Sequence, residues 1–255
     1  MGSAFLPFVA LTLLDLPIIY QPIFIVFTTT FFLYNLNRKT DIKEDSINYP
    51  QRVKLLARYG NFIFWLSFVL YFLGIFIAYV SGIKIIFFTL IPLMIMILYS
   101  ILRLKKYFLL KNILASIGWA SSFIFTAAFF GLETHFSTFI IFTFYFFRAM
   151  INTIICDIRD IEGDKKVGTI TLPIKFGIKK TKIILQLLNI LSFIIIFVSL
   201  YLKIIPKGHL ISLIFIYGLF YIKKIKRKNT KLIGELVDGE LYLLGFLAIF
   251  ERILF

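Results

Sequence analysis

Acidic residues are scarce in this chain, and cysteine and histidine are scarcer. A single cysteine, Cys156, leaves no partner for an intramolecular disulfide and no basis for a thiolate zinc or iron–sulfur site. It reads as a small buried apolar side chain. The two histidines, His135 and His209, fall in short connections on the side opposite the acids, which removes them as ligands or bases there. Only 13 residues are acidic against 28 basic ones, for a formal net charge of +15. Met1-Gly2-Ser3 carries no basic n-region, so no secretory signal is expected. Leu6 stands where a myristoylation motif needs Ser or Thr.

Long polar stretches are also lacking. Sixty per cent of residues are apolar, where soluble domains hold about 45–50%. Mean hydropathy is +0.93. The apolar residues come in runs near 3–14, 18–36, 60–81, 83–101, 112–132, 136–156, 182–202, 210–222 and 236–254. Runs of about 20 residues match the thickness of a bilayer. Eight of these read as transmembrane helices. The first, residues 3–14, is too short to cross alone and is expected to be a partial span or the remainder of a longer helix. Asp15, Pro17 and Pro22 turn the chain into the second helix. The expected fold is all-α: a polytopic transmembrane helical bundle, one domain over residues 1–255, with no soluble appendage.

The polar connections at 37–58, 102–111, 157–182 and 223–235 hold 23 of the 28 basic residues. The positive-inside rule assigns that face to the cytoplasm. The basic balance is thereby accounted for by the membrane. Membrane lipids are expected neighbours, and no nucleic acid or obligate protein partner is expected.

Seven of the 13 acids lie in two windows on that face. One reads Asn37-Arg38-Lys39-Thr40-Asp41-Ile42-Lys43-Glu44-Asp45. The other reads Asp157-Ile158-Arg159-Asp160-Ile161-Glu162-Gly163-Asp164. Four spans separate them, an even number, so both emerge on the same side. Asn37, Asp41 and Asp45 are spaced by four. Asp160 and Asp164 are also spaced by four, with Asp157 three before. Such spacings put oxygens on one helical face. Hard oxygen donors suit Mg²⁺, and Mg²⁺ in turn suits phosphates. Two such faces can hold ions and a diphosphate between them. The plainer reading is a solvated loop with salt bridges, but exposed pairs contribute only about 0–1 kcal/mol each. That is a weak reason to concentrate acids here twice.

Arg103, Lys105, Lys106 and Lys111 occupy the middle basic loop and are candidates for phosphate oxygens, Arg through bidentate bonds. Each also serves as an ordinary positive-inside anchor. Arg148 lies inside a span about two turns before Asp157, with Asn152 one turn further on. A charge there is costly and usually faces a polar interior, so both read as walls of the site. Tyr34, Tyr99, Trp119 and Tyr145 could offer ring faces to a carbocation, an attraction of about 0.5–2 kcal/mol each, or could simply pack.

Taken together these residues resemble the UbiA superfamily of intramembrane prenyltransferases. Asn37-x₃-Asp41-x₃-Asp45 followed by Asn48-Tyr49-Pro50-Gln51-Arg52 is similar to the family's first motif. Asp157-x₂-Asp160-x₃-Asp164, followed by Lys165-Lys166, Gly168, Thr171-Leu172-Pro173 and Gly177, is similar to its second. Tyr99-Ser100 through Lys106, Lys111-Asn112 and Trp119 resembles its middle loop. The resemblance covers nearly the whole chain. It implies about nine helices around a central cavity, a cap over the metal site, and Mg²⁺-dependent ionisation of a prenyl diphosphate. By position, Asn37, Asp41, Asp45, Asp157, Asp160 and Asp164 would hold Mg²⁺ and diphosphate, with Arg103, Lys106 and Lys111 as further diphosphate contacts. Two departures stand out. Arg38 replaces the Asp that many members carry after the motif's Asn, and the family's first helix normally carries polar residues ahead of this chain's start.

The expected reaction is prenyl transfer from a prenyl diphosphate to an acceptor within the membrane. The Asn-Arg-x₂-Asp form of the first motif favours an aromatic, quinone-precursor-like acceptor. The alternative is a glycerol-phosphate lipid. A competing class, a divalent-cation transporter, needs carboxylates near the bilayer midplane, and here they sit at one boundary. Asp238-Gly239 lacks the Ala-Arg that a CDP-alcohol phosphotransferase motif requires.

Overall fold

The computed structural model describes residues 2–42, 46, 50–226 and 230–255; the side chains of residues 50, 52, 230 and 231 stand outside the description. Among the described residues the chain is helical throughout, with nine α-helices and no strand. They are α1 (Phe5–Leu13), α2 (Tyr20–Thr40), α3 (Pro50–Ser81), α4 (Ile83–Met96), α5 (Leu110–Ala128), α6 (Phe136–Lys166), α7 (Leu172–Tyr201), α8 (Ile214–Lys224) and α9 (Thr230–Leu254). Prolines near helix starts (Pro7 in α1, Pro22 in α2, Pro173 in α7) fall where no intrahelical N–H bond is lost. Pro92 inside α4 does remove one, and that helix runs on into a π-helical turn, Ile97–Ile101. The turn carries Tyr99 and Ser100. A short 3₁₀ turn, Leu104–Lys106, then leads to α5.

Consecutive helices pack on one another from α2 through α9. The ring closes where α9 packs against α1, and α1 against α2 and α5. The nine helices and the central cavity that the resemblance implies are thus present. Helices α3, α4 with its π turn, α6 and α7 are each long and apolar enough to cross a membrane. Helices α2, α5 and α9 have the length, at 21, 19 and 25 residues. The run at 210–222 differs from expectation. It forms a 3₁₀ turn, Ile211–Leu213, and an α8 of only 11 residues. At 1.5 Å per residue α8 spans roughly 16 Å against a core of about 30 Å. It is a partial span, like the 9-residue α1.

Lipid tails are as apolar as leucine, so helix association here rests on close packing and on buried polar bonds. Leu6, Val9, Ala10, Leu11 and Leu13 of α1 are fully buried despite the helix's brevity. Small residues allow close approach: a Cβ on Gly74 of α3 would stand 2.6 Å from Thr28 Oγ1 of α2. Phe62, Trp65, Val69, Phe72 and Phe76 of α3 face outward, as lipid contact requires. The two ends of the bundle differ in chemistry. One holds Asp41, Lys105, Lys111, Asp157 and Asp164 in contact; the other holds the pairs Lys84–Glu133 and Lys207–Asp15.

Candidate functional site

The first acids come from the last turn of α2. Asn37 lies one turn before the end, and Asp41 is the C-cap, its amide donating to Asn37 O at 3.0 Å. Thr40 Oγ1 donates to the same carbonyl at 2.8 Å. Lys105 Nζ donates to Asp41 Oδ1 at 2.5 Å, and Lys105 is 6% exposed. Ser100 Oγ, on the π turn, donates to Asn37 Oδ1 at 2.8 Å. The first motif is thereby tied to the segment between α4 and α5.

The second set rides on α6, which continues through Lys166, ten residues past the apolar run. Asp157 and Asp164 are two turns apart and share one face. Lys111 Nζ stands between them, 2.9 Å from Asp157 Oδ1 and 3.0 Å from Asp164 Oδ2. Asn112 Nδ2 donates to Asp157 Oδ2 at 2.8 Å. Asp157 is fully buried, so its charge is tolerable only because it is paired. Gly168, in the left-handed region at φ 75°, ends the helix. The Thr169 amide reaches back to Asp164 O at 2.8 Å, which fixes the turn bearing Asp164. Asp160 is half-buried and paired with its neighbour Arg159 at 3.0 and 3.1 Å.

Asp41 and Asp164 sit at helix C-termini, where the helix dipole already carries partial negative charge, while Asp157 and Asp160 lie further back on α6. A carboxylate there is unfavourable by some tenths to about 1 kcal/mol before burial is counted. Two such ends point into one place, with Tyr99 between them. Tyr99 lies within electrostatic range of Asp41, Asp157, Asp164 and Lys111. The result is an acidic pole whose carboxylates are partly neutralised by Lys105 and Lys111. Among the described residues no three acid, His or Cys side chains form a closed metal cage. The donors are nonetheless hard oxygens, and two of them already share a single cation. Such a set suits Mg²⁺, which usually binds one or two carboxylates and completes its shell with water and substrate phosphates.

Below this pole lies a cavity of about 260 Å³. Its lining runs along one face of α2, from Asn37 through Tyr34, Thr30 and Val26 to Ile25. Twelve residues of helix make it roughly 18 Å deep. Helices α4 and α5 complete the wall with Phe88, Met96, Tyr99, Leu114, Trp119 and Phe125. The far end meets the packed cluster of Ile25, Val26, Ala78, Ile85 and Phe125. The cavity is therefore largely apolar, and its Asn37 and Tyr99 end lies nearest the carboxylates.

Several expected residues stand elsewhere. Arg148 and Asn152 do not reach the mouth. Arg148 is fully buried among α6, α7 and α9, with Nε 2.8 Å from Glu240 Oε1 and Nη1 donating to Asn189 Oδ1. Asn152 Oδ1 accepts from Tyr221 OH at 3.0 Å, and that hydroxyl also bonds Glu240 Oε2 at 2.7 Å. An apolar surround obliges a buried arginine to find its counterion, and α9 provides it. The structure thus puts both in a brace within the bundle instead of the site wall. Arg103 and Lys106 are exposed, and Lys105 takes the inward place. Arg103 adopts left-handed backbone at φ 55° just before the 3₁₀ turn that carries Lys105 and Lys106. Tyr34, Tyr99 and Trp119 line the cavity, whereas Tyr145 is buried against Phe123 at 4.9 Å. Asp45 lies outside the described residues. Ser100 and Asn112 are contacts that sequence alone gave no role, only a place in the middle-loop resemblance; Lys105 was one of four basic candidates in that loop, with nothing to rank it above Lys106.

Known proteins of similar sequence and shape point the same way. The UbiA prenyltransferase family matches residues 4–243. The digeranylgeranylglyceryl phosphate synthase of Sulfolobus acidocaldarius is 35% identical over 198 residues, 75% of this chain and 70% of its own length. That of Methanosphaera stadtmanae is 30% identical over 220 residues, 80% of this chain and 76% of its own. Among solved structures, a digeranylgeranylglyceryl phosphate synthase superposes with a TM-score of 0.67 at 23% identity, covering 99% of this chain and 93% of that one. A UbiA homologue of Archaeoglobus fulgidus bound to GPP and Mg²⁺ gives 0.64 at 19% identity, covering 97% and 95%.

Proposed function

The chain belongs to the UbiA prenyltransferase family, and from that membership we propose that it transfers a prenyl group from a prenyl diphosphate to the hydroxyl of a glycerol-phosphate lipid, with Mg²⁺, at the basic, cytoplasmic mouth of the bundle. This reverses the sequence-based preference for an aromatic acceptor. That preference rested on Arg38 beside Asn37, one position in one motif. The relatives that match along most of this chain are digeranylgeranylglyceryl phosphate synthases. Family membership also removes the transporter reading.

The observation that carries the proposal is the meeting of Asp41–Lys105 with Asp157–Lys111–Asp164 around Tyr99, above a deep apolar cavity. Asn37, Asp41, Asp157, Asp160 and Asp164 would hold Mg²⁺, with Asp45 added on the strength of the motif spacing alone. Bound there, the ion neutralises the diphosphate and makes it a better leaving group. Lys105 and Lys111 keep the carboxylates apart in charge before substrate arrives, then turn to phosphate oxygens. Cavity residues from α2, α4 and α5 hold the isoprenoid tail and exclude water from the allylic carbon. The C–O bond to diphosphate breaks, the acceptor oxygen forms the new bond, and its proton is released. Tyr99 and Trp119 line the cavity where the carbon gains positive charge, an attraction of about 0.5–2 kcal/mol for each ring face that reaches it; the Tyr34 ring already lies under the Arg38 guanidinium, 4.0 Å from its centroid.

The test is turnover of purified protein with a geranylgeranyl donor, offering a prenylated glycerol phosphate and an aromatic acid as acceptors. Product is expected only from the glycerol phosphate, and Asp41→Asn and Asp157→Asn are each expected to abolish it in folded protein. Full activity in both variants, or turnover in EDTA, would sink the account.

A further inference from the structure

Helices α7 and α8 are laced together by side chains that reach backbone carbonyls. Lys182 Nζ donates to Lys223 O at 2.9 Å, Gln186 Nε2 to Leu219 O at 3.3 Å, and Asn189 Nδ2 to Phe215 O at 3.1 Å. The three donors fall on one stripe of α7, so the lacing runs the length of the pair. Gly218 permits the approach: a Cβ there would lie 2.2 Å from Asn189 Oδ1. The topmost rung pulls together two segments that electrostatics alone would separate. Residues 175–182 and 223–226 hold seven basic residues and no acid.

Elsewhere on the same face, Lys105 and Lys111 are turned inward onto carboxylates. Here Lys179, Lys180, Lys223, Lys224 and Lys226 are exposed. Below them Ile183 and Leu187 of α7, with Ile216 and Phe220 of α8, turn apolar side chains outward. A concentrated cationic rim above an apolar outer surface matches the two halves of an anionic lipid. Clusters of four to eight Lys and Arg just beyond a membrane helix attract acidic headgroups by about 1 kcal/mol per residue.

We propose that the basic end of the α7–α8 pair binds the phosphate headgroups of anionic membrane lipids, whose chains lie along the outward faces of both helices. The site is separate from the acidic mouth and its occupancy does not depend on the transfer reaction.

The whole protein is placed in nanodiscs of phosphatidylcholine alone or mixed with phosphatidylglycerol, and the lipid it retains after extraction is counted by native mass spectrometry. The unaltered protein is expected to keep phosphatidylglycerol in preference, and to lose that preference as salt rises. Neutralising three exposed lysines (K179Q/K180Q/K224Q) should reduce the preference on the order of 100-fold. The charge-preserving K179R/K180R/K224R should keep it. Removing two charges on α3 at the same face (K54Q/R58Q) should leave it unchanged. No preference in the unaltered protein, full preference in the glutamine variant, or an equal loss in K54Q/R58Q would overturn the proposal.

Discussion

At the scale of single residues, the decisive distinction lies between adjacent lysines. Lys105 is buried against Asp41, whereas Lys106 is exposed. Charge and position in the loop are the same for both, so sequence offers no means of choosing. The loop that carries them has left-handed backbone at both ends, at Arg103 and Leu109, two non-glycine residues at φ 55° and 62°. Such conformations are uncommon and leave little trace in composition. A hydrogen bond to a charged group is worth about 1.5–3 kcal/mol. Lys105→Ala should therefore lower kcat/KM by roughly 10- to 100-fold, while Lys106→Ala should stay within about twofold; steady-state kinetics on the two variants checks this. Lys111 holds two carboxylates at once. Lys111→Met leaves them facing each other, and a loss of at least about 100-fold in turnover is expected, with tighter Mg²⁺ binding, since no ammonium competes for the carboxylates, that a magnesium titration would read. The acids themselves were legible because so few exist: five of the seven aspartates fall in two windows.

At the scale of elements, hydropathy located the helices well because the bilayer demands long apolar runs. It located their ends poorly. Helix α6 continues ten residues past its apolar run because intrahelical bonds, and not lipid, stabilise that extension. Helix α8 looked like a span and is a partial one, since its apolar run includes a 3₁₀ turn. Arg148 was recognised as unusual from its place inside a span, but its partner was not. Glu240 lies 92 positions away on α9, and no local pattern links the two. Both groups are fully buried, so losing either strands the other. Arg148→Met should cost about 3–5 kcal/mol of stability. The double variant Arg148→Met, Glu240→Met should cost less than the single one, because an apolar pair of similar volume avoids the desolvation penalty. Chemical denaturation in detergent, compared across the single and double variants, measures both. A double variant as unstable as the single one would show that Arg148 is held by something other than Glu240.

At the scale of the whole molecule, parity did much of the work. Four crossings between the acid windows are enough to put them on one face. The ring of helices then explains why they meet: α2 and α6 bring their C-termini to the same mouth, and α4 and α5 supply the loop between them. The cavity beneath is a property of the assembled ring. No single helix encodes it, and only its apolar lining residues can be traced to one face of α2. A ligand that fits both mouth and cavity must stabilise the folded protein. At one hundred times its dissociation constant the gain is about 2.7 kcal/mol, visible as a rise in Tm of several degrees.

That rise gives the most direct test of the claim that the two acid sets act as one grip. Thermal shift by geranylgeranyl diphosphate with Mg²⁺ is compared in the unaltered protein, Asp41→Asn, Asp157→Asn and the double variant. A joint grip predicts a clear magnesium-dependent shift in the unaltered protein, near-complete loss in each single variant, and no further loss in the double. A shift that survives in either single variant, or that falls by independent steps, would contradict it.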